Sequence, residues 1–310
     1  MFYDIQMKPE IALYDAFTEV PFGGSQAAVI ADASGIALEL RPRLARELGL
    51  PATAFVDAID EESVSLQFFS TVMELPMCGH GTVCLMTHLA EQGLVSVAEG
   101  EQQAMSLRLP GSNARVELER RQDGRIVVML DVTPPRFEAA PEDLEPALSA
   151  LGISTVELGN GPVAEIARGD FVHLVIPLVG LDAMRKIKPD FGAIVEYCHQ
   201  YDIETFAVYC LETENSAADL HVRDFCPAVG VSESAAAGTT NAALASYLLR
   251  HELIRPDPKH EIMIHAEQGI ELGRPSSVRS KMRVSDSGIE RLQVGGVATR
   301  VLQGEVYLPE

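Results

Sequence analysis

The sequence predicts an α+β protein of two similar halves, each combining hairpin-built β structure with one long helix. Three observations lead there. Strand-like apolar runs recur at short intervals between Gly- and Pro-rich turns. Each half contains one extended stretch with helical spacing of its apolar residues. One short pattern also occurs twice: Met77-Cys78-Gly79-His80-Gly81-Thr82 and Ser234-Ala235-Ala236-Ala237-Gly238-Thr239. Each copy follows a strand-like run, Val64 to Phe69 or Asp219 to Phe225, and opens a helix. The expected halves are 1–132, joined by the last strand at about 295–310, and 133–294.

Taken in order, Ile11 to Phe17 alternates as a strand, turns at Pro21-Phe22-Gly23-Gly24-Ser25, and returns through Ala27 to Ile30. Arg41 to Leu50 reads as a helix with Gly49 near its end, and Thr53 to Val56 as a short strand. Thr82 to Leu94 is helical, with Val83, Met86 and Ala90 on one face and Gly93 as terminator. Strands follow at Ala104 to Leu109, Ala114 to Leu118 and Arg125 to Leu130. Pro134-Pro135 and the acidic stretch around Glu142-Asp143 mark the crossing between halves. The second half has strands at Phe171 to Pro177 and Thr205 to Leu211 and a helix at Phe191 to Tyr201. Its long helix, Thr240 to Leu253, buries Ala243, Leu244, Tyr247 and Leu248. The chain ends in strands, with a turn expected at Gly295-Gly296.

Apolar residues make up 47% of the 310 positions, enough for a proper core. The formal charge of −21 argues against nucleic acid and anionic membrane surfaces as partners. A small anion is not excluded, because it responds to the local field of a helix end. The start, Met1 to Gln6, has no basic segment followed by an apolar one, so a cytoplasmic protein is expected. The five cysteines are odd in number and scattered, without a CxxC pair or zinc spacing. No GxGxxG or P-loop is present, so a nucleotide cofactor has no support, and without zinc spacing no metal is expected.

Cys78 is the candidate of most interest. An isolated cysteine is ordinarily a small buried hydrophobe. At a helix N-terminus, however, partial positive charge and free N–H groups favour the thiolate. A thiolate there can take a proton from a carbon next to a carboxylate. His80, two residues on, is a proton carrier or a substrate hydrogen-bond donor, or simply a helix-start residue. Gly79, Gly81 and Thr82 let backbone N–H groups approach an anion, as do Gly238, Thr239 and Thr240 at the second helix start. For the threonines, plain N-capping is the competing reading. Gly24, Ser25 and Gln26 form a turn whose polar groups are candidates to line a cleft between the halves.

These segments resemble the phenazine-biosynthesis PhzF-like family. The resemblance rests on Asp15 through Val29, Phe69 through His80, Arg223…Phe225…Pro227, Gly238-Thr239 with Asn241, Gly273 to Ser276 and Val294-Gly295-Gly296. It implies a diaminopimelate-epimerase-like fold, each half a curled, mostly antiparallel sheet around a central helix. It also implies a homodimer acting as an isomerase without a cofactor. The family usually carries a glutamate where this chain has Ala52, and often an aspartate where it has Ser234. Two-base racemases and epimerases of the same fold place a second cysteine at the position of Ala235. The expectation is therefore a one-base isomerase of a small carboxylate-bearing substrate, with Cys78 and His80 as its catalytic residues. The alternatives are a one-base dehydratase of a hydroxylated amino acid such as 3-hydroxyproline, and a silent small-molecule binder.

Overall fold

The computed structural model describes residues 8–159, 161–257 and 260–309. The segment Met1 to Gln6, read above for a leader, lies outside the described residues. The chain divides into two compact units, Met1–Asp131 with Gly295–Glu310, and Val132–Val294.

The first unit begins with β1 (Glu10–Ala16), β2 (Ser25–Ile30), α1 (Arg41–Leu48), β3 (Ala52–Ile59), β4 (Ser63–Phe69) and β5 (Glu74–Leu75). It continues with α2 (Gly79–Glu91), β6 (Gln102–Leu109), β7 (Ser112–Arg120) and β8 (Ile126–Val132). The β1–β2 hairpin closes through Gly24, at φ +53°, where a methyl carbon would lie 1.8 Å from the Ala16 carbonyl oxygen. Only glycine fits that approach. β2 runs parallel to β3, and β3, β4 and β5 pair antiparallel. Parallel pairing of β4 with β6 leads into the β6–β7–β8 meander.

α2 is buried from Gly81 through Ala90 without a break, and it packs against β1, β2 and β3. A helix covered all round is a core element, not an amphipathic surface helix. Leu85, Met86 and Leu89 are fully buried there, each worth roughly 1.5–3 kcal/mol of transfer free energy. α1 instead packs Leu44 and Ala45 with Ile30, Ala28 and Phe55, and ends on Gly49 in the left-handed region.

The second unit contains β9 (Arg136–Ala139), α3 (Glu145–Ala150), β10 (Glu165–Arg168), β11 (Val172–Pro177), α4 (Leu181–Lys186) and α5 (Phe191–Tyr201). β12 (Thr205–Cys210), β13 (Leu220–Cys226), β14 (Val231–Ser234), α6 (Gly238–Arg250), β15 (Glu261–Gln268), β16 (Ser276–Ser285) and β17 (Gly288–Gly296) complete it. β11 and β12 run parallel, with His173 opposite Thr205, and β12 pairs antiparallel with β13. Side chains alternate across this sheet. Leu174, Ile176, Phe206, Val208 and Phe225 pack with α3, α4 and α5. Val175, Ala207, Tyr209 and Val222 pack with α6. The chain then returns to the first unit through β18 (Ala298–Glu305), which pairs with β1 and packs on α2.

Two expectations change. Gly295 and Gly296 lie inside β17 and do not form a turn. Gly295 is required because a methyl carbon there would lie 1.9 Å from the Val128 carbonyl oxygen. The stretch read as the crossing, around 134–143, also contains the short strand β9, and α3 just beyond it has six residues, too few to show a helical period.

Candidate active site

Cys78 is the N-cap of α2, extended at φ −146° and ψ 106°, and its side chain is 6% exposed. Its Sγ lies 3.6 Å from both Nδ1 and Nε2 of His80, so either nitrogen reaches the thiol after a small ring rotation. The expected low thiol pKa is overturned. Burial pushes the Cys78 thiol up to about 12, with the Gly81 N–H opposing it only in part. Helix-end charge contributes only up to about 2 kcal/mol, and taking the thiolate out of water outweighs it. Burial also drives His80 down to about 4, so the resting pair is a thiol beside a neutral imidazole.

The glycines of this helix start differ in what they do. Gly79 faces open space, leaving its side of the backbone accessible. At Gly81 a methyl carbon would lie 2.9 Å from the Phe68 ring and 3.0 Å from the Cys78 sulfur. Its missing side chain is therefore a packing requirement. Thr82 is fully buried and donates to the Met77 sulfur at 3.8 Å. Gly24 is buried, while Ser25 and Gln26 are half-buried on β2, which packs against α2. Ala52 is fully buried.

In the second unit, α6 starts at Gly238 with Ala237 as N-cap, a residue that has no side-chain acceptor. The preceding loop is braced from several directions. Gln268 donates to the Ser234 carbonyl at 2.8 Å and accepts from Ala237 N and Asn241 Nδ2. Ser276 donates to the Ala235 carbonyl at 3.0 Å. Gly238 and Thr239 are half-buried, and Thr240 is fully buried. A pocket beside this helix start is lined by Thr239, Ala242, His173, Phe171, Asp170 and Thr133 among others.

Under the same helix start lies a polar group that reading the sequence missed. Asp224 and Thr205 are buried on the face of the sheet that carries α6, and His173 joins them there. His173 Nδ1 is 2.7 Å from the Thr205 hydroxyl. Burial raises Asp224 to about 6, partly offset by the Thr205 and Thr240 hydroxyls beside it. A carboxylate at the core-facing position of the run Leu220-His221-Val222-Arg223-Asp224 was the available signal. Next to it, Arg223 and Glu233 form a buried two-bond ion pair, both contacts at 2.8 Å.

Comparison with known proteins gives a consistent result. Residues 14–304 match the PhzC-PhzF family, described as phenazine biosynthesis-like protein. An uncharacterized isomerase from Mesorhizobium japonicum is 30% identical, over 96% of this chain and 98% of its own. The trans-2,3-dihydro-3-hydroxyanthranilate isomerase of Pseudomonas fluorescens is also 30% identical, with the same coverage of both chains. A crystal structure of a Bacillus anthracis PhzF-family protein superposes with a TM-score of 0.88 at 22% identity, covering 97% of this chain and 100% of that one.

Proposed function

The chain belongs to the PhzC-PhzF family of phenazine biosynthesis-like proteins, and from that premise we propose that it is an isomerase moving one proton on a small carboxylate-bearing substrate. The observation that carries this reading is the Cys78–His80 pair at the uncapped start of α2, 3.6 Å apart. As Sγ accepts the substrate's proton, the thiol's own proton passes to His80. The carbon's electron pair delocalises toward the carboxylate, and the resulting imidazolium is favoured by that developing negative charge. Reversal of both transfers at another carbon completes a 1,3-shift with no net change in protons. Burial resists either charge alone but resists the adjacent pair less.

The first-turn groups at Gly79, Gly81 and Thr82, with Gly24, Ser25 and Gln26 from the neighbouring hairpin, are the proposed substrate-holding residues. The first turn of α6, Gly238, Thr239 and Thr240, offers another seat for a carboxylate. The isomerase names of the relatives support the reaction class. The dehydratase alternative would pass the same His80 proton to a leaving hydroxyl, and it differs from the isomerase in losing one water from the product.

A proton-exchange screen of small amino and hydroxy acids in heavy water tests the proposal. Deuterium should enter a carbon beside a carboxylate in at least one compound, without loss of water from the product. Cys78→Ala should cut that exchange by roughly 100- to 10,000-fold while circular dichroism stays unchanged. Exchange that survives Cys78→Ala would overturn the assignment.

A further inference from the structure

The Asp224, Thr205 and His173 side chains form a line beneath the first turn of α6, and His173, at one end of it, is among the residues that line a pocket. His173 lies opposite Thr205 on the parallel β11–β12 pair, and Nδ1 is 2.7 Å from the Thr205 hydroxyl. Asp224 lies beside the Thr205 hydroxyl, on β13. His173 and Asp224 are each 2% exposed, and His173 Nε2 and Asp224 Oδ1 have no hydrogen-bond partner among the described residues. His173 lines the same pocket as Thr239. Buried polar atoms left unpartnered are costly, and each asks for an explanation.

We propose that this pocket is a carboxylate-binding subsite in which His173 Nε2–H donates to the ligand, and that Asp224 acts through Thr205 as the positioning residue that sets the His173 tautomer. The chemistry follows from the donor count of a hydroxyl. When Asp224 is ionised, the Thr205 O–H donates to it. The Thr205 oxygen then accepts from His173 Nδ1–H, and Nε2 faces the pocket as a bare acceptor. When Asp224 is protonated, its O–H donates to the Thr205 oxygen and the Thr205 O–H donates to Nδ1. Nε2 must then carry the ring proton and present a donor. One proton added to Asp224 therefore turns the pocket from repelling a carboxylate to binding one.

The surroundings favour such a switch. Burial lowers His173 to about 4, so the ring stays neutral and only its tautomer changes. Asp224 is raised to about 6, which places its titration near neutrality. The groups facing it are the Thr205 hydroxyl on β12, Thr240 on α6 and the Glu233 carboxylate on β14, the last paired with Arg223. Cys226 lies two residues farther along β13, and Asp170 is the other ionisable group lining the pocket. A bound anion repels ionised Asp224, so binding takes up a proton. Thr239, at the uncapped helix start, supplies the second side of the seat.

The subsite rests on the reading of the α6 start as an anion seat, and its test does not require turnover. Imidazole 15N spectra of the full chain, with acetate as the probe, report which nitrogen of His173 is protonated. Between pH 5 and pH 8 the proton should move from Nε2 to Nδ1. Acetate at pH 7 should draw it back to Nε2, with affinity falling up to tenfold per pH unit on the alkaline side. Thr205→Val and Asp224→Asn should abolish the pH dependence, and Thr205→Ser should keep it. A His173 tautomer unchanged across this range, or a swap that persists in Thr205→Val, would overturn the proposal. If heavy-water exchange proves independent of Cys78 while the swap is present, only the isomerase mechanism fails.

Discussion

Asp224 on β13 and Ser234 on β14 face each other as cross-strand partners. The family pattern often places an aspartate at the position of Ser234, next to the second helix start. Here that position holds a hydroxyl, and a buried carboxyl stands on the neighbouring strand.

Asp224 should make this protein less stable as the pH rises. Its folded pKa, raised to about 6, lies above the ordinary aspartate value, so folding is favoured while the carboxyl is protonated. That contribution is lost between about pH 4 and pH 7, amounting to about 3 kcal/mol. Urea unfolding of wild type and Asp224→Asn at pH 4.5, 6 and 7.5 measures it. The variant should gain relative to wild type as pH rises, and a constant difference between the two would contradict the assignment.

Cys78 should be slow to alkylate at neutral pH. A thiol raised to about 12 is protonated at pH 7, so iodoacetamide labelling should climb about tenfold per pH unit through pH 8 to 10. Site-resolved mass spectrometry is needed, since all five thiols are buried and unpaired. Fast labelling of Cys78 at pH 7 would restore the low-pKa thiolate expected from its helix position.

The two glycines flanking His80 should respond unequally to alanine. Gly81→Ala drives a carbon into the Phe68 ring and the Cys78 sulfur and should cost about 1–3 kcal/mol. Gly79→Ala meets nothing within 4 Å, and stability should change by less than about 1 kcal/mol. If Gly79 faces substrate, its variant should raise KM in a protein of normal Tm. Equal loss of Tm in both variants would show that the two positions are not distinct.

His221 should stabilise the second unit at acid and neutral pH only. It is fully buried, with Nδ1 2.7 Å from Glu267 and Nε2 3.0 Å from Glu271. Burial alone would lower the imidazole, but the two carboxylates more than offset it and leave it raised. A histidine raised in the folded state contributes fully below about pH 6.5, and the contribution fades as pH climbs through its folded value. His221→Gln should therefore lower Tm at pH 6 and approach wild type at alkaline pH. A deficit that does not shrink with pH would rule out the charged imidazole as its source.

Much of the fold was legible from local pattern. α2 and α6 announced themselves through strand–turn–helix order and apolar residues at helical spacing, and the Gly24 turn through its neighbours. Short helices such as α3 were not legible, because six residues span under two turns and show no period. At the candidate site, Cys78 and His80 were visible because they lie two positions apart at one helix start. Asp224, Thr205 and His173 were invisible as a group, because strand register alone makes 173, 205 and 224 neighbours.

What the sequence determined by itself was the alternation of strands and helices, the residue types at both helix starts, and the absence of the family's usual carboxylates at Ala52 and Ser234. The protonation of those residues was decided only by tertiary structure. A helix end acts on a thiol over one turn with up to about 2 kcal/mol. Enclosure by surrounding strands acts on it from every side and is the stronger effect, so Cys78 rests as a thiol and Asp224 titrates near neutrality.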